Sequence, residues 1–202
     1  SKTSKGRAIQ NLINIEQDDE VKAFVCTGDL KDEDYINNHY IIMATKKGQV
    51  KKTALEQYSR PRTNGINAIT IKDNDELLSA KLTTGESQVM LALKSGKAIR
   101  FEESKTRPMG RNASGVRGIT LANDEDEVVG MVSVNDTESN ILVVSEKGYG
   151  KRSSLEDYRI TNRGGKGVKT ISVTEKTGEL VAIKNVTDAD DLMIINKSGI
   201  AI

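Results

Sequence analysis

Lysine and arginine recur at fixed offsets from glycine along this chain, and side chains of those types in that pattern suit one kind of chemistry. Four apolar runs, 41–48, 89–96, 141–148 and 192–199, each end in a glycine-bearing turn. Lys47 and Lys147 stand just before two of those glycines. Lys51-Lys52, then Lys97 with Arg100, then Lys151-Arg152 follow them, so that Lys52, Arg100 and Arg152 each lie four residues beyond the glycine. Basic residues return where one unit joins the next: Arg60 and Arg62, then Lys105, Arg107 and Arg111, then Arg159, Arg163, Lys166 and Lys169. Such cations contact phosphate oxygens and neutralise a nucleic-acid backbone without reading base edges.

Other candidate chemistry is weaker. His39 is the one histidine and Cys26 the one cysteine, too few ligands for a zinc site even if paired. His39 is expected in a loop and Cys26 in the core. The acidic run 124–127 lacks the Asp-x-Asp-x-Asp-Gly pattern of a calcium loop and reads as a solvated hairpin loop. Gly164-Gly165-Lys166-Gly167 is followed by neither Gly-Lys-(Ser/Thr) nor a helical pattern, which argues against a nucleotide cradle. No nucleophile with a partnered base and no carboxylate pair emerges. The chain is expected to bind rather than catalyse, with no metal, cofactor or small-molecule substrate of its own.

The elements that must position the cations are legible as a repeat. The turn glycines 48, 96, 148 and 199 are 48, 52 and 51 residues apart. Glu20-Val21, Glu76-Leu77, Glu127-Val128 and Glu179-Leu180 open a second series of apolar stretches, 56, 51 and 52 residues apart. A third anchor, Gly-x-x-x-Ile-x-(Ile/Leu/Val), begins at Gly65, Gly115 and Gly167, with a looser copy at Gly6-Arg7-Ala8-Ile9. Runs of five apolar residues bounded by glycine, asparagine and aspartate predict strands. The lysine-bearing turns place glycine where a tight hairpin needs positive φ. Units of about 50 residues with four strands predict an all-β, propeller-like stack of blades, with units at approximately 5–63, 64–113, 114–165 and 166–202. That amounts to three complete units and part of a fourth in one domain over 1–202, as an incomplete ring or spiral. Val50, Ala98, Gly150 and Ala201, each two residues past a turn glycine, are small enough for close sheet packing. Segments 53–58 and 153–158 are expected to form no more than a turn or two of helix.

Composition bounds the partners. The net charge is +1, with 30 basic and 29 acidic residues, so any nucleic-acid surface must be a segregated one. The acids do cluster apart, at 18–20, 73–76, 124–127 and 188–191. Aromatic content of 3%, with no tryptophan, argues against a base-stacking platform for single strands. No apolar run approaches a membrane span, and no apolar segment follows the basic amino end, so a cytoplasmic location is expected.

At the level of motifs, Arg163-Gly164-Gly165-Lys166-Gly167 matches the last five positions of the gyrase A box, Gln-(Arg/Lys)-Arg-Gly-Gly-(Lys/Arg)-Gly, with Thr161-Asn162 where the box has Gln-Arg. Asn11-Leu12 with Glu16-Gln17-Asp18, Val50-Lys51-Lys52-Thr53, Met109-Gly110 with Gly115-Val116-Arg117-Gly118, and Gly148-Tyr149-Gly150-Lys151-Arg152 resemble successive blades of the gyrase A carboxy-terminal domain. The resemblance covers essentially the whole chain. It implies a β-pinwheel in which neighbouring blades exchange a strand, and duplex DNA wrapped non-specifically around a basic rim. It also implies a parent bacterial type II topoisomerase that supercoils negatively as an A2B2 assembly of gyrase A with gyrase B, using ATP and magnesium outside this segment. The related C-terminal domain of topoisomerase IV, guiding DNA for decatenation, is the alternative, and a protein-interaction propeller a more distant one.

Overall fold

The computed structural model describes residues 5–6, 13, 15–16 and 18–202. The looser repeat copy at Arg7–Ile9, and the family string at Asn11, Leu12 and Gln17, lie outside the described residues.

Each apolar run is the first strand of a tight antiparallel hairpin. β1 (Tyr40–Thr45) returns as β2 (Gln49–Ala54), β4 (Gln88–Leu93) as β5 (Lys97–Glu102), and β8 (Asn140–Ser145) as β9 (Gly150–Ser154). Gly48, Gly96 and Gly148 turn these hairpins at φ of 89°, 89° and 81°, a region that side chains with a Cβ avoid. A third strand pairs with the other side of each first strand: β3 (Leu77–Thr83), β7 (Val128–Val134) and β11 (Leu180–Val186).

The fourth strand is short and comes from farther along the chain. β6 (Val116–Arg117) pairs with β2, and β10 (Val168–Lys169) pairs with β5. The sheets therefore run β3-β1-β2-β6, β10-β5-β4-β7 and β11-β8-β9. β6 lies in sequence between β5 and β7, both of the second sheet, yet completes the first. This is the strand exchange that the family resemblance implies. Among the described residues the third sheet has three strands, and 194–202 adds a short exposed hairpin bridged between Ile195 and Ala201.

The sequence units and the sheets are out of phase. A cut at the linker glycines assigns β1 and β2 to one unit and β3 to the next, although β3 hydrogen-bonds to β1. Three-ten turns at Leu55–Tyr58, Glu103–Lys105 and Leu155–Asp157 follow the hairpins, as short as expected. One helix carries no periodic signal in the sequence. α1 (Glu33–Asn37) is five residues long, too short for one, and is capped by Asp32, whose carboxylate accepts from the Tyr35 amide at 3.2 Å.

Strand parity assigns each side chain to one neighbour. Ile42, Ala44 and Val50 of the first sheet pack against Val89, Leu91, Leu93, Ile99 and Phe101 of the second, and Met90, Ala92 and Ala98 on its far face meet Ile141, Val143 and Leu155 of the third. Each large apolar side chain buried this way contributes about 1.5–3 kcal/mol. β7 lies against both β3 and β11, so the sheets converge on their third strands and splay at the β6 and β10 edges. Gly130 permits the approach of β11 to β7, because a Cβ there would stand 2.7 Å from Ile183 Cγ2. Val50 and Ala98 are fully buried as expected, whereas Gly150 and Ala201 are exposed. Cys26 corrects the core assignment: it is exposed, because alternation along 21–26 turns Ala23 and Val25 inward and Phe24 and Cys26 out. No helix among the described residues is long and apolar enough to cross a membrane.

Candidate nucleic-acid interface

The segments that join successive sheets run along the splayed outer edges and hydrogen-bond to one another. The Met109 amide donates to Lys52 O at 2.7 Å, and the Thr161 amide to Arg100 O at 2.9 Å, laying each linker on the hairpin before it. Gly115 and Gly167, at φ of 92° and 73°, let the linker descend onto the strand, since a Cβ would collide with the Val50 or Ala98 carbonyl. Consecutive linkers are then clasped in the same way twice. Thr70 donates from its amide to Ala113 O (3.2 Å) and from Oγ1 to Asn112 O (2.7 Å). Thr120 donates from its amide to Gly165 O (2.8 Å) and from Oγ1 to Gly164 O (2.6 Å). The outcome is one continuous outer band across three linkers.

Most of the linker cations expected on a track lie on this band. Arg60, Arg62, Lys105, Arg107, Arg159, Lys166 and Lys169 are exposed, and Arg111 and Arg163 half-buried. Their guanidinium groups also brace the band: Arg111 donates to Asn67 O at 3.0 Å and Arg163 to Arg117 O at 3.2 Å. Lys97, half-buried, faces Lys169 directly across the β5–β10 pair. Like charges in that position repel, and an anion bridging them would relieve the repulsion. The glycines of the box-like segment, Gly164, Gly165 and Gly167, serve the clasp and the descent onto β5.

Three expected track residues do not reach the surface. Lys51, Lys52 and Arg100 are buried, at 0%, 4% and 5% exposure. Strand parity and the overlying linker explain why. Lys52 and Arg100 face the next sheet: the Lys52 ammonium sits 3.7 Å from Glu103 Oε1 and 4.5 Å over the Tyr40 ring. The Arg100 guanidinium donates to Gln88 Oε1 (2.8 Å), Leu155 O (2.9 Å) and Tyr158 O (2.8 Å). Lys51 points the other way, under the next linker. At the same offsets on β9, which no linker strand overlays among the described residues, Lys151 and Arg152 stay exposed, with Arg152 paired to Asp188 at 2.6 Å.

Lys47 and Lys147 sit in the hairpin turns, among the acidic loops. Lys47 Nζ donates to Asp124 O at 2.9 Å, and Lys147 Nζ donates to Glu175 O. The acids there hold the hairpin turns. Asp75 accepts from the Lys47 amide at 2.9 Å. Asp126 accepts from Ser95 Oγ at 2.8 Å and the Ala122 amide at 2.9 Å, and is buried, so that the run 124–127 is not wholly solvated as expected. His39 is the expected connecting residue, stacked on Tyr35 at 4.1 Å with Nδ1 2.7 Å from Tyr35 O.

Two cations were missed. Lys72, Arg117 and Arg163 come from three successive linkers and line one shallow groove of about 540 Å³ with Gln49, Gly115, Val116 and Gly164, and with no carboxylate. Arg117 was findable, since it lies two residues past its linker glycine as Lys169 does. Lys72 repeats at no other unit and carried no such signal.

Burial, and secondarily the Arg111 charge, pull the Lys51 ammonium down from 10.5 to about 8. A base whose folded value lies below its unfolded value penalises the fold while protonated. The penalty is complete below about pH 8 and fades toward the unfolded value of ~10.4. The native chain should therefore gain stability relative to Lys51→Met between pH 8 and 10, at up to ~1.4 kcal/mol per pH unit. Denaturant titrations across that range measure it, and a constant difference would contradict the burial of a charged amine.

A repeat-built, propeller-like stack with a basic outer band and acids gathered at its hairpin turns defines a binding module of the β-propeller class. The chain belongs to the DNA gyrase C-terminal domain family, a β-propeller family whose sequence profile matches residues 39–84, 89–135 and 139–187, each taking in the three longer strands of one sheet. It is 43% identical over its whole length to the DNA gyrase A protein of Staphylococcus aureus (strain NCTC 8325 / PS 47), and spans 22% of that relative. Among solved structures, it resembles the C-terminal domain of DNA topoisomerase IV (TM-score 0.86, 25% identity, 98% of this chain and 60% of that one). It also resembles the DNA gyrase A C-terminal domain (TM-score 0.82, 26% identity, 98% and 64%).

Proposed function

We propose that this chain binds duplex DNA along the linker band, through phosphates and without base readout, and bends it around the stacked sheets. The observation that carries this reading is the groove in which Lys72, Arg117 and Arg163 meet from three consecutive linkers. Phosphates along a duplex follow one another at ~1.7 Å of axis, so a continuous cationic edge suits a duplex lying lengthwise. Bending 20–30 base pairs by 40–90° costs on the order of 1–6 kcal/mol, which further phosphate contacts along the curve offset. The sheets resemble gyrase and topoisomerase IV domains almost equally, while the 43% identical relative is a gyrase A protein, and this favours gyrase. On that reading the parent is a bacterial, cytoplasmic A2B2 enzyme that supercoils DNA negatively, with ATP and magnesium handled by its other parts.

Titration of duplexes of about 40 base pairs against salt tests the binding. With roughly 6–10 phosphates engaged, affinity should fall by about 10³–10⁵ between 50 and 200 mM salt. Binding that ignores salt, or no binding by the folded chain, would refute the proposal.

A further inference from the structure

The Lys51 ammonium is buried under the linker it does not belong to. It donates to Arg111 O at 2.7 Å, to Ala68 O, and to the Tyr58 hydroxyl at 3.3 Å. Tyr58 and the Arg111 guanidinium are the titratable or charged groups that face it, and among the described residues it forms no ion pair. A charge with no opposite charge is an expensive occupant of such a place. A methionine would fill much of the same volume without that cost, so stability alone gives no reason for a lysine.

The repeat supplies an internal comparison. Lys51 lies three residues past its turn glycine, and Ile99 holds the same offset in the second sheet. There Ile99 lies under Gly165 of the overlying loop, 162–167, but offers it no hydrogen bond, and a hollow of about 640 Å³ remains between the loop and β5, with Ile99, Arg100 and Tyr158 in its walls. In the first sheet the corresponding loop, 110–115, is tied by Lys51 at the carbonyl of Arg111, the repeat equivalent of Arg163. The same ammonium holds the preceding linker through Ala68 O. Three segments are therefore fixed by one group: the hairpin strand, its own linker and the next.

We infer that Lys51 is a positioning residue of the DNA track, whose buried ammonium sets the height and register of the loop presenting Arg111 without touching DNA itself. The inference rests on the duplex-binding reading above. Three donors on a tetrahedral nitrogen, shared among three oxygens, allow little sliding of the loop along the strand. Arg111 continues the brace outward through Asn67 O. Misplacing the loop misaligns cations that must meet phosphates at fixed spacing.

The test compares Lys51→Met and Lys51→Arg with the native chain, measuring duplex affinity over salt and thermal stability at pH 7. Lys51→Met is expected to keep its melting temperature within a few degrees, yet lose about tenfold in affinity and one to two units of salt slope, at roughly one unit per lost phosphate contact. Lys51→Arg is expected to recover most of both, because it returns charged donors to the same carbonyls. A simply structural lysine would lower stability and affinity together. Unchanged affinity and slope in a folded Lys51→Met, or equal losses in Lys51→Arg, would overturn the inference. Should Lys51→Met fail to fold, Lys51→Gln decides, since a shorter neutral side chain still donates but cannot hold all three oxygens. A folded Lys51→Gln is expected to lose severalfold in affinity, and an unchanged affinity and salt slope would overturn the inference. Failure of the native chain to bind any duplex would instead remove the function on which the inference depends.

Discussion

Reversing the three groove charges together, Lys72→Glu, Arg117→Glu and Arg163→Glu, is expected to weaken duplex binding by about 500-fold or more at 0.1 M salt. Each phosphate contact adds ~0.9 to the slope of log affinity against log salt, so three lost contacts remove nearly three decades at that concentration. The salt slope itself should fall by about 2.7. Lys72 and Arg117 are exposed and Arg163 is half-buried. The one hydrogen bond at stake, from Arg163 to Arg117 O at 3.2 Å, is on the order of 1 kcal/mol. Melting should accordingly shift by no more than about 2–4 °C. Fluorescence anisotropy with a labelled duplex, paired with thermal denaturation, reads both quantities. An affinity within threefold of native would place the duplex somewhere other than the linker band.

The second large effect concerns the joint between the first two sheets. Glu103 is fully buried and accepts from Ser87 Oγ at 2.5 Å, from the Ser87 amide at 3.2 Å and from Thr83 Oγ1, with Lys52 Nζ at 3.7 Å. Lys52 and Thr83 belong to the first sheet, and Glu103 follows β5 of the second. Glu103→Ala strands a buried ammonium and three donors, which should cost about 3–5 kcal/mol and lower the melting temperature by roughly 6–20 °C. The double variant Lys52→Met with Glu103→Ala is expected to lose less than the two single losses summed, because no ammonium is then stranded, while Thr83 Oγ1 and the two Ser87 donors still are. Calorimetry of the two single variants and the double variant measures the coupling. Additive losses would mean that the two side chains act independently across the joint.

The Glu103 joint was not read from the sequence, which placed Lys52 on the track, although a signal for it was present. Leu55 and Leu155 occupy the offset that Glu103 holds, so an acid there breaks the internal pattern, and a lysine facing it from the next sheet is the natural partner. The strand exchange was harder to see. β6 and β10 are two residues long, below any periodic signal, and only the family strings implied them. The short helix at Glu33–Asn37 went unread for the same reason. The phase of the blades could not be taken from spacing, because a repeat can be cut at any point while hydrogen bonding closes it at only one.

Periodicity by itself determined the hairpins, their turn glycines, the number of sheets and the existence of a recurrent set of cations, because those follow from the spacing of apolar residues and the conformational freedom of glycine. Whether a given cation faces water was decided only by the tertiary structure. Lys51 and Lys151 share one offset, as do Lys52 and Arg152, yet the first of each pair is buried and the second exposed. Alternation along a strand chooses the face, but the neighbouring sheet and the borrowed linker choose whether that face is covered. Cover of that kind comes from residues about 50 to 60 positions away, where no local pattern reaches. The continuous cationic edge likewise exists only once Lys72, Arg117 and Arg163 are drawn together by hydrogen bonds between linkers that are far apart in sequence.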